Sequence, residues 1–225
     1  MDPKERAARS AVAEVQSGQL LGLGTGSTAM RALQVLAERI RAEGLKVVGV
    51  PTSVATQKEA ERLGIPLGTL DEHPQLDLAV DGADQVDLHL VAIKGYGGAL
   101  VREKIVARCA RRLLIMVDTS KLSDTLDLAV PVEVLPFALG AARHGLAALG
   151  GASKLRFAGG KPYVTDNGNQ ILDVDFGVIA DPAELAARIA AVPGVVDHGL
   201  FVGLVDELHV GSADSARVVG RGQML

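Results

Sequence analysis

The sequence contains very few aromatic residues and a single cysteine. No tryptophan occurs among its 225 residues, and aromatic side chains make up only 3%. Because one cysteine cannot form an internal disulfide, the fold has to be stabilised by a non-covalent core. We interpret Cys109 as a small core residue in a helix rather than as a nucleophile, since no partner histidine forms a motif with it.

Long apolar runs and an excess of positive charge are also lacking. No apolar run is long enough to span a membrane, and residues 1–6 do not resemble the start of a signal peptide. The net charge of −4 argues against a general nucleic-acid-binding surface. We therefore predict a cytoplasmic protein with a small-molecule partner and with neither a nucleic acid nor a membrane as partner.

Apolar residues are plentiful in the first half of the chain, where predicted strands and helices alternate. The length of 225 residues suffices for one large domain or two small ones, and a hydrophobic fraction of 48% allows a substantial core. The strand segments are apolar throughout, which is typical of a parallel sheet covered on both faces. Strands are predicted at 20–23, 46–50, 76–80, 88–93 and 113–117, and helices at 3–17, 28–43, 53–64 and 99–111.

The pattern changes near Leu126. A β-α-β-β-α-β order follows, which is typical of a split βαβ unit with an antiparallel sheet. The sequence therefore predicts an α/β protein with a main domain, residues 1–127 and 200–225, and a small α+β domain, residues 128–199, inserted near its end. The tail, about 201–219, is expected to return to the main sheet. The small domain has predicted strands at 130–134, 153–157, 163–165, 170–176 and 195–201, and helices at 136–149 and 182–191.

A glycine-rich turn, residues 22–28, joins the first predicted strand to the next helix. Free backbone amides at a helix start bind anions, and the hydroxyls of Ser27 and Thr28 suit a phosphate or a sugar. A dinucleotide site is disfavoured because Ser27 stands where the third glycine of the motif belongs. No P-loop lysine follows either. A plain turn with a helix cap remains the alternative on this segment alone.

Two acidic residues, Asp81 and Asp84, follow the predicted strand 76–80. Open α/β sheets bind ligands beyond the carboxyl ends of their strands, which favours a site here, although a loop without function has the same pattern. A metal site is disfavoured, because no histidine accompanies the two aspartates at ligand spacing and His89 falls in the predicted strand 88–93.

The segment 94–104 combines a lysine, a glycine loop and the start of a helix. Lys94 precedes glycines that can form an anion-binding nest, and Glu103 lies in the first turns of the helix, where acidic residues are also common for electrostatic reasons. Acid–base chemistry on a small anion needs such a carboxylate, ammonium group and set of amides. Lys121, after the strand 113–117, and Lys4, in the first helix, are candidate phosphate contacts.

Together these motifs resemble the type A family of ribose-5-phosphate isomerases. Tyr96 is a departure, because we expect glycine there in many relatives and tyrosine is costly if the backbone adopts a positive φ. The matching segments run in family order at 24–29, 81–84, 94–99, 102–104, 118–121, 131–134, 165–169 and 193–196.

The resemblance implies a Rossmann-like main domain with a small ferredoxin-like lid domain, assembled as a homodimer or homotetramer. It implies interconversion of D-ribose 5-phosphate and D-ribulose 5-phosphate through an enediolate, in the pentose phosphate pathway, without cofactor or metal. Glu103 is then the base, and Asp81 assists ring opening. Asp84 and Lys94 line the reacting end. The substrate-binding residues that it implies are Thr25, Gly26, Ser27, Thr28, Gly82, Ala83, Gly95, Tyr96, Gly97, Lys121 and Lys4.

Three other functions stay open on the residues alone. A different enzyme on the same fold, such as a sugar-phosphate deaminase, a lactonase or a CoA transferase, is disfavoured by the complete 94–104 segment. A non-catalytic sugar-phosphate sensor is disfavoured because no residues are spare for a DNA-binding helix pair. A dinucleotide-dependent oxidoreductase is disfavoured by Ser27.

Overall fold

The computed structural model describes residues 1–222 of the chain. Within them the α-helices are α1 (Pro3–Ala13), α2 (Ser27–Glu43), α3 (Val54–Leu63), α4 (Leu100–Cys109), α5 (Leu139–Ala148) and α6 (Pro182–Ala190), with 3₁₀ turns at Thr119–Lys121 and Pro136–Ala138. The strands are β1 (Leu20–Leu23), β2 (Val48–Pro51), β3 (Leu78–Gly82), β4 (Gln85–Val86), β5 (Ala92–Ile93), β6 (Leu113–Asp118), β7 (Val130–Val134), β8 (Ala152–Leu155), β9 (Phe157–Ala158), β10 (Lys161–Pro162), β11 (Gln170–Asp175), β12 (Val195–His198), β13 (Leu200–Phe201), β14 (Glu207–Gly211) and β15 (Ala216–Gly220).

The central sheet has the strand order β15-β14-β6-β3-β1-β2 and is mostly parallel. Only its edge strand β15 is antiparallel to its neighbour, β14. In β6 alternate residues serve opposite faces: Leu114 and Met116 pack in the core beneath α1 and α2, whereas Ile115 packs with Val106 of α4. A sheet covered on both faces accounts for the uniformly apolar strands. The predicted α/β class is therefore confirmed, and the tail returns to this sheet as predicted.

Helices α1, α3 and α6 begin directly after residues whose side chains cap them. Asp2 Oδ1 accepts a hydrogen bond from the Lys4 amide at 3.2 Å, and Ser53 Oγ accepts from the Thr56 amide at 3.0 Å. Such caps satisfy amides that have no partner within the helix. Helix α1 ends at Ala13, earlier than predicted. Within residues 1–222 no helix combines the length and apolar character that crossing a bilayer requires.

A second sheet, with the strand order β12-β7-β11-β8, is antiparallel throughout. Its apolar side packs against α5 and α6 through residues such as Val132, Leu146 and Ile189, all fully buried. A third, small antiparallel sheet has the strand order β13-β5-β4. The chain passes from the second sheet into this small sheet at Gly199, the single residue between β12 and β13.

One predicted strand is wrong, one is shortened to β5 and one is divided. Residues 88–90 form a turn instead of the first half of a strand, because Asp87 Oδ1 accepts hydrogen bonds from the amides of His89 and Val91 at 2.9 and 2.8 Å. Residues 163–165 are not a strand; the ladder partners of β9 are Lys161 and Pro162 instead. The predicted strand 195–201 is divided at Gly199, where a Cβ atom would lie 2.1 Å from the Lys94 carbonyl oxygen.

Candidate active site

A narrow cleft of about 110 Å³ opens beyond the carboxyl ends of β1, β3 and β6. Parallel strands bring the loops that follow them to one edge of the sheet, which is where α/β proteins bind ligands. Every lining residue belongs to the predicted site. The lining residues are Lys4, Thr25, Gly26, Ser27, Thr28, Gly82, Ala83, Asp84, Lys94, Gly95, Gly97, Glu103 and Lys121.

Lys94 is at the centre of the charged groups and is only 2% exposed. Its Nζ lies 2.9 Å from Asp81 Oδ2 and 3.3 Å from Glu103 Oε2, and it donates to the Gly82 carbonyl at 2.5 Å. The ring centroid of Phe201 lies 5.3 Å from the same nitrogen, within the range of a cation–π interaction. The ammonium group is thus held between two carboxylates and over an aromatic ring.

Asp81 lies within β3 and contacts Lys94 without lining the cleft itself. Its Oδ1 accepts hydrogen bonds from the amides of Thr25 at 3.1 Å and Gly82 at 2.8 Å. Gly24 is required by this packing, because a Cβ atom there would lie 2.2 Å from Asp81 Oδ1. Both oxygens of Asp81 are therefore engaged, one by amides and one by Lys94.

Burial shifts the pKa values of these groups. It raises the pKa of Glu103 to about 8, a shift that the Lys94 ammonium opposes and the Asp81 carboxylate adds to. Burial also raises the pKa of Asp81, against the attraction of Lys94 and its hydrogen bonds. For Lys94, burial acts to lower the pKa, but Asp81 and Glu103 outweigh it and the pKa is raised. Lys94 is consequently charged, and Glu103 is a carboxyl group able to exchange a proton near neutral pH.

Glu103 reaches the cleft from the first turn of α4 and is 4% exposed. Among residues 1–222 its Oε2 atom finds no hydrogen-bond partner of good geometry, and its contact with Lys94 is an ion pair. Because Glu103 lines the cleft, its carboxylate is placed to accept a proton from a bound molecule.

The glycine loop that precedes α4 holds Asp84. The Tyr96 amide donates to Asp84 Oδ2 at 3.0 Å. The positive φ values fall on Gly95, at 112°, and Gly98, at 81°, so the strain expected at Tyr96 does not arise. The Tyr96 ring is outside the cleft lining, with its hydroxyl donating to the Ala129 carbonyl at 3.2 Å. Tyr96 and Asp81 are the two predicted site residues that do not line the cleft.

Basic and hydroxyl groups line the cleft where the start of α1 meets the start of α2. Lys4 Nζ donates to Ser27 Oγ at 3.1 Å, and Lys121 lies on the same lining. Gly26, with φ of 105°, precedes α2 and has no side chain that could cap the helix. The first backbone amides of α2 therefore have no capping side chain as their hydrogen-bond partner. Amides at a helix start, together with two ammonium groups, suit a phosphate dianion.

Several residues that support the site were not predicted. The hydroxyl of Thr25 lies 2.7 Å from that of Thr52, 2.9 Å from Ser53 Oγ and 3.0 Å from Thr56 Oγ1. This cluster fixes the turn after β1. Its signal in the sequence was the pair Thr52-Ser53, one residue beyond the predicted strand 46–50, at the same sheet edge. Phe201 had no such signal, because it approaches Lys94 from a distant part of the chain.

The charged neighbours of Glu103 in the sequence, Arg102 and Lys104, do not line the cleft. Arg102 Nε donates to Asn167 Oδ1 at 2.8 Å, and Lys104 Nζ donates to Asp197 Oδ1 at 2.6 Å. No three His, Cys, Asp or Glu side chains in the part of the chain that the structure describes are arranged to hold a metal. The carboxylates of the cleft surround an ammonium group instead.

A mostly parallel α/β sheet whose edge brings a buried lysine and carboxylates beside a basic cleft defines an acid–base enzyme for a small anion. A sequence model of the family "Ribose 5-phosphate isomerase A (phosphoriboisomerase A)" matches residues 48–215. The chain is 52% identical to the ribose-5-phosphate isomerase A of Methanosarcina acetivorans over 217 residues, which cover 95% of this chain and 92% of that protein.

Solved structures agree. The ribose 5-phosphate isomerase A of Methanocaldococcus jannaschii has a TM-score of 0.93 and 41% identity, covering 97% of this chain and 98% of that one. A D-ribose-5-phosphate isomerase in complex with phospho-erythronic acid has a TM-score of 0.94 and 35% identity, covering 98% and 100%. The chain belongs to the ribose 5-phosphate isomerase A family, and the resemblance of its motifs is confirmed.

Proposed function

We propose that the chain interconverts D-ribose 5-phosphate and D-ribulose 5-phosphate, with Glu103 as the base that moves the proton. The observation that carries the proposal is the buried Glu103 carboxyl group, which faces the cleft 3.3 Å from Lys94 Nζ and has its pKa raised to about 8. Family membership indicates the same substrate pair. The related complex with phospho-erythronic acid supports a phosphorylated, acidic ligand for this type of cleft.

The isomerisation needs one base and a group that stabilises an oxyanion. Ionised Glu103 removes the proton from C2 of the open-chain aldose, and the C–H electron pair forms the C1=C2 bond of an enediolate, leaving negative charge on O1. Glu103 then returns the proton to C1 while the O2 proton moves to O1. Lys94 is charged and stabilises the oxyanion, a contribution of roughly 3–4 kcal/mol for a preorganised donor.

Ring opening is proposed to use Asp81 through Lys94. Both oxygens of Asp81 are already bonded, to two amides and to Lys94 Nζ at 2.9 Å. Asp81 therefore keeps the ammonium group charged and oriented, so that Lys94 stabilises the ring oxygen as the C1–O4 bond breaks and the proton of the O1 hydroxyl moves to that oxygen. Asp84 lines the cleft beside Lys94 and is proposed to orient the hydroxyls at the reacting end.

The phosphate is proposed to bind at the basic end of the cleft. Gly26, Ser27 and Thr28 offer the amides and hydroxyls of the α2 start, and Lys4 and Lys121 offer ammonium groups. A ligand anchored there would extend towards Glu103 along one continuous lining. Binding energy from the unreactive phosphate would hold the sugar in a reactive geometry.

We also propose that residues 128–199 form a ferredoxin-like lid domain on a Rossmann-like main domain of residues 1–127 and 200–225, the last three of which lie outside the described residues. The strand order β12-β7-β11-β8, with two helices on one side, supports the lid topology. A closed lid would keep water from the enediolate. Independence from metals and cofactors, a homodimeric or homotetrameric state and a cytoplasmic location are proposals too.

The proposed function is tested by incubating the chain with ribose 5-phosphate and following the appearance of the ketose by NMR. We expect ribulose 5-phosphate to form up to the equilibrium ratio without any added nucleotide or amine. A non-catalytic sensor would bind the sugar phosphate without changing it. Saturable binding with no ketose would therefore contradict the proposal, as would turnover that requires a dinucleotide.

A further inference from the structure

Arg156 contacts the glycine loop of the cleft from its outer side. It lies between β8 and β9, outside the cleft lining, and its Nη1 donates to the carbonyl of Gly95 at 2.8 Å and to that of Tyr96 at 3.3 Å. Its guanidinium group is fixed by Asp173 of β11, which accepts from Nε at 3.0 Å and also pairs with Nη2. An Arg held on two sides in this way is a rigid donor.

The peptide group between Gly95 and Tyr96 is therefore held at both ends. Its carbonyl oxygen accepts from Arg156, and its N–H donates to Asp84 Oδ2 at 3.0 Å. Hydrogen bonds linked through one peptide polarise each other and fix its plane. Because Gly95 has a φ of 112°, the peptide has an orientation that other residue types rarely allow.

We propose that Arg156 is a positioning residue for the reaction, which fixes the Asp84 carboxylate through the Gly95–Tyr96 peptide. The inference rests on the proposed function, in which Asp84 orients the substrate at the reacting end. It also means that the antiparallel sheet, to which Asp173 belongs, contributes directly to the geometry of the cleft. Tyr96 takes part as well, since its ring centroid lies 6.0 Å from the Arg156 guanidinium carbon.

The shape of an arginine side chain allows it to bind Asp173 and the two loop carbonyl groups at the same time. Its planar group presents one edge to Asp173 and another to the two carbonyl groups, and a lysine at the same position has a single ammonium that cannot serve both. We therefore expect Arg156→Lys to restore only part of the activity that Arg156→Met loses. Lys154, an exposed cation on the neighbouring strand β8, provides a matched control as Lys154→Met.

The test is a double-mutant cycle between Arg156→Met and Asp84→Ala, with kcat and KM measured for each variant on ribose 5-phosphate. We expect Arg156→Met to lower kcat by about 10- to 100-fold, the scale of a sub-ångström to 1 Å misplacement, while Lys154→Met stays at the wild-type value. In the Asp84→Ala background the further loss should be less than about twofold, because the two residues act through one peptide.

A second readout does not depend on turnover. Hydrogen exchange of the Tyr96 amide, followed by NMR, should become faster in Arg156→Met and stay unchanged in Lys154→Met. Equal losses of kcat in both backgrounds would show a merely structural role and overturn the inference, as would unchanged exchange at Tyr96. If Arg156→Met does not fold, Asp173→Asn replaces it in the same cycle. If the wild type shows no isomerase activity, the proposed function is contradicted but the inference about Arg156 is not. The exchange of the Tyr96 amide would still decide whether Arg156 fixes the Gly95–Tyr96 peptide.

Discussion

The Glu103 carboxylate lies 3.3 Å from the Lys94 ammonium group, and both side chains are almost completely buried. This proximity shifts the pKa values of the two groups in opposite directions. Lys94 opposes the rise that burial causes in the pKa of Glu103, and Glu103 helps to raise the pKa of Lys94. The pair therefore combines a base that titrates near neutral pH with a cation that remains charged, as enediolate chemistry requires.

The pH dependence of turnover should report the ionisation of Glu103. Since the base acts as the carboxylate and its pKa is raised to about 8, kcat/KM should rise with pH and level off above about 8. In Lys94→Met the attraction that lowers this pKa is lost, so the residual activity should rise at still higher pH. Profiles of kcat/KM against pH for both proteins check the prediction. A wild-type kcat/KM that already levels off just above the ordinary pKa of a glutamate would contradict it.

Stability should depend on the same proton. A carboxyl group whose pKa is raised on folding stabilises the protein below its ordinary pKa of 4.5, and this contribution is lost as the pH rises to about 8. In Glu103→Gln the free energy of unfolding should therefore fall less steeply over this interval than in the wild type. Denaturant titrations at several pH values measure the difference, and parallel curves for the two proteins would argue against a raised pKa.

The phosphate should supply much of the catalysis although it does not react. Free ribose should lose at least about 10² in kcat/KM relative to ribose 5-phosphate, equivalent to about 2.7 kcal/mol. Ser27→Ala removes a hydroxyl that accepts from Lys4 at 3.1 Å, and should weaken turnover of the phosphorylated sugar by about 1.5–3 kcal/mol while changing ribose little. Wild type and variant are compared on both sugars, and equal losses on the two would show that Ser27 does not serve the phosphate.

Activity should survive removal of metals. The carboxylates of Asp81 and Glu103 are directed at Lys94, whose ammonium group supplies the positive charge. Exhaustive dialysis against a chelator should therefore leave kcat unchanged. A loss of activity that Mg²⁺, Mn²⁺ or Zn²⁺ restores would require a different mechanism, with Asp81 and Asp84 as ligands.

Gly24→Ala should damage the site without touching the substrate. A Cβ atom at this position would lie 2.2 Å from Asp81 Oδ1, so Asp81 has to move and Lys94 loses its orientation. We expect kcat/KM to fall by about 10-fold or more. Gly140→Ala is the matched control, because Gly140 lies in α5 with no atom within 4 Å of an added Cβ, and it should stabilise the helix by about 0.5–1 kcal/mol. Similar kinetics for both variants would contradict the role of Gly24.

The central sheet was predictable because its strands are buried on both faces and therefore read as uninterrupted apolar runs. The same criterion failed at residues 88–93, where leucines and a valine line a turn that the Asp87 side chain stabilises. Apolar character alone does not distinguish a buried strand from an apolar turn. At residues 163–165 a threonine lies in the turn that follows β10, where its hydroxyl donates to buried Glu133 at 3.0 Å.

The predicted cleft residues that follow β1, β3 and β6 converge because these are neighbouring parallel strands, a placement that sequence order already implies. Thr52 shares that placement and was overlooked. Arg156 and Phe201 could not be found in this way, since each contacts a cleft residue, Gly95 or Lys94, from a part of the chain that is distant in sequence. A local pattern of residues contains no information about such contacts.

The most direct test of the account is the reaction of ribose 5-phosphate in D₂O, followed by NMR for the wild type and for Glu103→Gln. If Glu103 carries the proton between C2 and C1, the wild-type ketose should contain deuterium at C1, because the base exchanges its proton with solvent during some turnovers. Glu103→Gln keeps the shape of the side chain and should lower kcat by about 10²–10⁴ while binding within a few-fold of wild type. A variant that retains a tenth or more of the wild-type kcat would contradict the central claim.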